Sequence, residues 1–355
     1  MPEWFEAIAT HRRTHPDELG AIWLVKKFGE KKYPGISTAE VIYWDAGPRT
    51  PDGRTPEEYE QEGVLPIGVG GGRLDEHPFL NRPRKEGECA FTLVAKDLGV
   101  QDDPAIQQLS EYLVNNDLRG TRQPLDFANF VNVLHRKHPN DPEVVMRWAM
   151  LALDALYDDQ EAFWNSTPQE FRKNAQIEGI SGPNGKTLKM VTVLSDNEQM
   201  AGFAHFVRGG RAAIVIQQKS SGNVQIFINK SAGLELQFAE IARLVRYAEQ
   251  NVRENILTTD PQILSAEGIV PGAEVWHCFT QGQMLLNGSL TAPNVPPTHL
   301  SLKVIQDLVR IGVNPRRFEK NRAPNCTKGI CTSTMANPCP WYKFQLERCL
   351  AIRRR

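Results

Sequence analysis

Leu19, Ile22, Trp23 and Lys26 recur at helical spacing behind Pro16, Asp17 and Glu18. That arrangement predicts a helix with proline at its first position and acids in its first turn. Two short apolar runs follow: "AEVIYWDAG" (39–47) reads as a strand ending at Asp45, and "GVLPIGVGGGRLDEHP" (63–78) as a strand running out into three glycines. Helical periodicity then covers about 87–99, 104–116, 126–137 and 142–163. Strands and a helix followed by further helices predict an α/β domain built on a parallel sheet. In such domains functional side chains gather at the carboxyl ends of the strands.

The texture changes at "SGPNGK" (181–186). Beyond it, "LKMVTVL" (188–194), a helix near 197–208, and "RAAIVIQQ" and "NVQIFIN" on either side of "KSSG" predict a second, smaller α/β domain. Residues 258–300 are rich in Pro, Gly and Asn and too long to be a simple connector. The predicted organisation is a first domain over 1–165, a linker over 166–183, a second α/β domain over 184–314 and a cysteine-containing segment over 315–355.

Composition narrows the class. Hydrophobic residues at 41% and charged residues at 23% describe an ordinary globular protein, and no apolar run approaches the roughly 20 residues of a membrane span. The start, "MPEWFEAIATHRR", lacks the pattern of a secretory signal, so a cytoplasmic protein with no membrane partner is expected. A net charge of −1 gives no overall attraction to nucleic acid. Phosphate binding would have to come from metal ions or from a local patch such as "RIGVNPRRFEKNR" (310–322) or the terminal arginines.

The stretch "THRRTHPDELGAIW" (10–23) concentrates candidate ligands ahead of the first helix: His11, His15 and Asp17. Asp75 and His77 follow a later strand, and Asp117 in "VNNDLRGT" offers a sixth group. Mixed imidazole and carboxylate ligands suit Mn, Zn or Fe, and such a site can lower the pKa of a bound water. The same residues also admit a plain reading in which His15 and Asp17 cap a helix and "DEHP" is a polar turn.

"THRRTHPDELGA", a glycine-rich strand end, "LDEHP" and "NNDLRG", in that order over about residues 5–125, resemble the motifs of the DHH (Asp-His-His) phosphoesterase superfamily. The family's first motif is His with Asp at +4 and +6; here His11, His15 and Asp17 hold those places, and a histidine near the middle place is similar to the Myg-type exonuclease branch. The third motif is matched by Asp75-Glu76-His77 and the fourth by Asp117. The second departs, with Gly68 where the family has an Asp bridging two metals, which leaves either a site that holds one ion tightly or Glu76 or Asp45 as a replacement bridge. The resemblance implies a hydrolase using divalent metal, expected to be manganese, on phosphodiester or phosphoanhydride bonds. Metal ligands would be His11, His15, Asp17, Asp75, His77 and Asp117, with Asp75 and His77 catalytic; the substrate would be a nucleotide or short oligonucleotide.

Two alternatives stay open. A degenerate site could leave a non-catalytic nucleic-acid-binding protein, or "THPDE" could belong to a zinc deacetylase, since it resembles the PIG-L motif less one acid. In the second domain Ser220 and Ser221 of the "QKSSGN" turn and Asn287 and Ser289 of "NGS" are candidate substrate contacts. Cys326, Cys331, Cys339 and Cys349 could hold zinc or an iron–sulfur cluster, and with Trp341 and Tyr342 could grip nucleic acid.

Overall fold

The computed structural model describes residues 2–45, 47, 49–78, 85–121, 123–314, 322, 325, 328–334 and 336. The chain is mixed α/β and divides into two compact units, Met1–Asn165 and Ser166–Arg355.

In the first unit the order is β1 (Ala7–His11), α1 (Pro16–Phe28), β2 (Glu40–Trp44), α2 (Pro56–Gln61) and β3 (Val64–Pro66). The helices α3 (Ala90–Leu98), α4 (Pro104–Arg119), α5 (Phe127–Lys137) and α6 (Pro142–Glu161) follow. The three strands form a parallel sheet in the order β2-β1-β3, with Ala7 opposite both Glu40 and Val64. β1 is central and buried throughout, as expected of a strand covered on both faces. Its carboxyl end delivers His11, and the carboxyl end of β3 leads through the glycines to Asp75.

α1 is the pivot of this unit. Every residue from Pro16 to Val25 is buried, so the helix is enclosed rather than amphipathic. Close approach explains Gly20, where an added Cβ would lie 2.7 Å from Leu113 Cδ1 of α4 and 2.8 Å from Phe91 Cδ2 of α3. Gly20→Val should therefore destabilise the unit by about 2 kcal/mol, because overpacking typically costs about 1–3 kcal/mol and outweighs a helix-propensity gain of about 0.5 kcal/mol. A lowered urea midpoint checks it; an unchanged midpoint would mean α3 and α4 can move away from α1 at no cost.

The second unit contains α7 (Thr167–Asn174), β4 (Ala175–Ser181), β5 (Thr187–Leu194), α8 (Met200–His205), β6 (Ile214–Gln218), β7 (Val224–Ile228) and α9 (Glu235–Val252). It ends with α10 (Pro261–Leu264), β8 (His277–Phe279), β9 (Met284–Leu286) and α11 (Leu302–Val313). Its sheet is larger than the first, six strands in the order β4-β5-β6-β7-β9-β8, antiparallel except for β5 with β6.

Residues 166–183, expected to be a linker, instead form α7 and β4. β4 pairs with β5 from Ala175 opposite Val193 to Ser181 opposite Thr187. It is an edge strand with only Ile180 buried, so it carries little of the alternation that marks a strand in sequence. The irregular 258–300 stretch is pinned to α9 by buried polar groups. Arg246 donates to the carbonyls of Leu264, Ala266, Gly268 and Trp276. Glu249 accepts from the Trp276 indole, the Thr298 hydroxyl and both the amide and ring of His299. Among the described residues no helix is long and apolar enough to cross a membrane.

Candidate metal centre

The loop from β1 into α1 is tied at both ends. Thr14 Oγ1 donates to the His11 carbonyl at 2.9 Å, and a ring nitrogen of His135, on α5, lies 2.9 Å from the Thr14 carbonyl. His15 is the extended N-cap of α1 and Pro16 supplies the first helical residue. The next two side chains, Asp17 and Glu18, are 2% and 0% exposed. A helix N-terminus favours acids, but two adjacent buried carboxylates need more than a dipole to offset their desolvation.

Glu18 does two things at once. Its Oε2 accepts the His15 amide at 2.6 Å, closing a capping box, while its Oε1 lies 2.9 Å from His11 Nε2. The His11 and His15 rings meet edge to face, 4.8 Å between centroids. Asp17 Oδ2 accepts the Ala90 amide at the start of α3, at 3.1 Å.

After β3, Gly68, Gly70 and Gly71 have φ of +65°, +78° and +70°, a left-handed run that folds the chain back toward α1. Asp75 Oδ2 accepts the Gly71 amide, and Asp75 Oδ1 accepts both the amide and Nδ1 of His77 at 3.0 Å. Both Asp75 oxygens are thus engaged, and its clearest role is to orient His77. Glu76 is 1% exposed, and its Oε2 is buried with no hydrogen-bond partner among the described residues.

Three sets of ligand atoms lie within 4.8 Å of one another: His11 with His15 and Glu18; Asp75 with Glu76 and His77; and Asp17 with Glu76 and Asp117. All six sequence-predicted ligands fall in these sets. Glu18 and Glu76 join them; the resemblance gives Glu18 no place among its metal ligands. Asp117 arrives from the last turn of α4 rather than from a strand end. Asp45 is exposed and, among the described residues, belongs to none of the sets.

The electrostatics are those of a crowded acidic site. Burial, reinforced by neighbouring carboxylates, pushes the Asp17 and Glu18 carboxyls well above their ordinary values, and burial raises Glu76. Burial lowers His11, and burial with the adjacent His11 lowers His15 to about 4. Burial also presses Asp75 upward, but hydrogen bonds from His77 and Gly71 outweigh it and leave the carboxyl below its usual range. The Asp75 hydrogen bond raises His77 to about 9, so without metal its ring is charged at neutral pH.

A cavity of about 520 Å³ opens beside the carboxyl ends of β1 and β2, lined by Arg12, Arg49 and Tyr43 among others. In the second unit Ser220, Ser221 and Ser289 line a cavity of about 280 Å³ with Lys219. Its positive groups are already answered, since the Ser220 amide donates to Asp196 and Lys219 pairs with Glu198. Asn287 is not a substrate contact. It is fully buried, accepting from the amides of Val224 and Thr298 and donating to the carbonyls of Val275 and Pro296.

Of the tail cysteines, Cys331 is an exposed free thiol, whereas Cys326, Cys339 and Cys349, with Trp341 and Tyr342, lie outside the described residues. From the basic stretch 310–322, Arg310 pairs with Glu178 and Asp307, and 315–321 lie outside the described residues. No protein-family model matches this chain, and no curated protein matches it.

Proposed function

We infer that the first unit is a divalent-metal hydrolase of the DHH type, acting on phosphodiester or phosphoanhydride bonds. The observation that carries the reading is Glu76, which shares a set with the carboxylates of Asp17 and Asp117 and whose buried Oε2 has no partner among the described residues. An unpaired buried carboxylate oxygen among like charges is costly, and a cation removes the cost. The donors fit such a group: one set pairs two imidazoles with a carboxylate, one joins an imidazole to two carboxylates and one is all oxygen, and Mn²⁺ accepts all three kinds.

Bound there, divalent metal would supply Lewis-acid chemistry, polarising phosphoryl oxygens and lowering the pKa of water. The chain's own residues supply the rest. Asp75 holds the His77 ring through Nδ1, leaving Nε2 to give a proton to the departing oxygen. Arg12 and Arg49 line the adjoining cavity, where their guanidinium groups suit a substrate phosphate. The deacetylase reading uses His15, Asp17 and Glu18 but gives Glu76 and Asp117 no role.

The test is activity of chelator-stripped and Mn²⁺-loaded protein on a short single-stranded oligonucleotide, a dinucleotide and a simple phosphodiester. Loaded protein should release phosphate monoesters and stripped protein none. Loaded protein inert on all three, yet retaining oligonucleotide with or without metal, would transfer the reading to a binding module. Arg12→Ala and Arg49→Ala should each raise KM about tenfold with little change in kcat, since a charge-assisted hydrogen bond contributes roughly 1.5–3 kcal/mol. A fall in kcat at constant KM would place them in the chemical step instead.

A further inference from the structure

Gly68 and Glu18 lie on different segments, and the geometry joins them. A Cβ built on Gly68 would press into Glu18 Cγ and lie 2.9 Å from its Oε1 and 3.1 Å from its Cδ; all three nearest atoms belong to Glu18. The volume a side chain at position 68 would fill is therefore taken by the Glu18 carboxylate. That carboxylate is fully buried and faces nitrogen on both oxygens, with His11 Nε2 at 2.9 Å, the His15 amide at 2.6 Å and His15 Nδ1 at 3.5 Å. Its chain neighbour Asp17 belongs to the oxygen-only set, and both acids are electrostatically coupled to Glu76 and Asp117.

We propose that Glu18, presented by the first turn of α1 through the gap left by Gly68, is the carboxylate shared between two cation positions. One position is made by His11 and His15, the other by Asp17, Glu76 and Asp117. Glu76, whose buried Oε2 has no partner among the described residues, marks the second position independently of Glu18. The proposal rests on the metal-hydrolase reading and adds to it the number of ions and the group that couples them. A carboxylate between paired cations fixes their separation, which in two-metal sites is roughly 3.5–4 Å. In this chain the fixing group comes from a helix cap, so the capping box and the metal centre share one side chain.

The rival role for Glu18 is capping alone, and Glu18→Gln separates the two because glutamine also closes a capping box but cannot share a negative charge. Mn²⁺ content by elemental analysis and magnetic coupling of the ions by electron paramagnetic resonance are read on the full-length protein. Wild type should hold two coupled ions. Glu18→Gln should melt no lower than wild type without metal, lose the coupled signal and bind the second ion about 100-fold or more weakly. Gly68→Asp alone should clash with Glu18 and lose metal. The double variant E18A/G68D should regain the coupled pair, since aspartate tolerates φ near +65° and the clash is gone. Glu18→Gln with the coupled pair intact, or a folded E18A/G68D with fewer than two ions, overturns the proposal and leaves the hydrolase reading standing. One ion in wild type does the same. Wild type that takes up no Mn²⁺ overturns both.

Discussion

Asp17→Asn will lower Mn²⁺-dependent phosphodiester hydrolysis by about 10²- to 10³-fold while making the metal-free protein more stable. The asparagine amide oxygen still accepts the Ala90 amide at the start of α3, so the local fold is kept. What is lost is one negative charge from the set it forms with Glu76 and Asp117. Removing a group that stabilises charge in the transition state costs about 3–4 kcal/mol, which corresponds to a factor of several hundred to a thousand in rate. Stability moves the other way. Burial and the charges of Glu18, Glu76 and Asp117 all oppose ionisation of Asp17, so without metal its carboxylate is a net burden. Parallel thermal melts and rate assays check both halves. Equal activity in variant and wild type would sink the hydrolase reading, and a less stable metal-free variant would show that Asp17 is held by contacts other than a cation.

Mn²⁺ at one hundred times its pH 6.5 dissociation constant should raise the melting midpoint by about 8 °C, and at that same concentration the rise should grow as pH goes from 6.5 to 9. Ligand linkage at that concentration contributes about 2.7 kcal/mol, and a unit of this size shifts by about 2–4 °C per kcal/mol. The pH direction follows from the native-state shifts. Asp17, Glu18 and Glu76 have raised carboxyls, so their contribution is complete below the unfolded values of 3.8 and 4.5 and is lost as pH rises through the folded ones. His77, raised to about 9, behaves alike: its contribution is present below 6.5 and is lost as pH climbs through 9. His11 and His15, both lowered, oppose this only on the acid side, where their contribution disappears as pH falls from 6.5 through the folded values, about 4 for His15. Between 6.5 and 9 the contribution that is lost is that of His77. Metal-free protein should lose stability across that window, and Mn²⁺, which replaces the protons, should cancel the loss. Scanning fluorimetry with Mn²⁺ and with chelator gives the comparison; superimposable curves would mean that no cation enters this site.

What was legible in the sequence was local. Pro16 with Asp17 and Glu18 marked the start of α1, apolar spacing marked α3 to α6, and "KSSG" between apolar runs marked the β6–β7 hairpin. Each signal lies within a few residues of what it specifies, because helix caps, helix faces and tight turns are set by neighbours in the chain. Composition sufficed for a mixed α/β protein without an apolar spanning helix.

The tertiary structure decided what depends on distant partners. β4 became a strand because β5 was there to pair with it, despite a sequence that reads as a linker. Asn287 became an internal strut because carbonyls of Val275 and Pro296 surround it, although its own tripeptide suggests an exposed polar turn. Glu18 has an unambiguous local reading as a helix-capping acid. Only the fold shows its other oxygen facing His11 and its carboxylate filling the space above Gly68, fifty positions along the chain. Asp117 reaches Asp17 across a hundred residues because α4 packs on α1 through Gly20, an approach measured in side-chain contacts and invisible to periodicity. Residue types and short spacings specify which chemistry is possible; convergence of charges from separate elements, and the burial that makes it costly without a cation, exists only once the chain has packed.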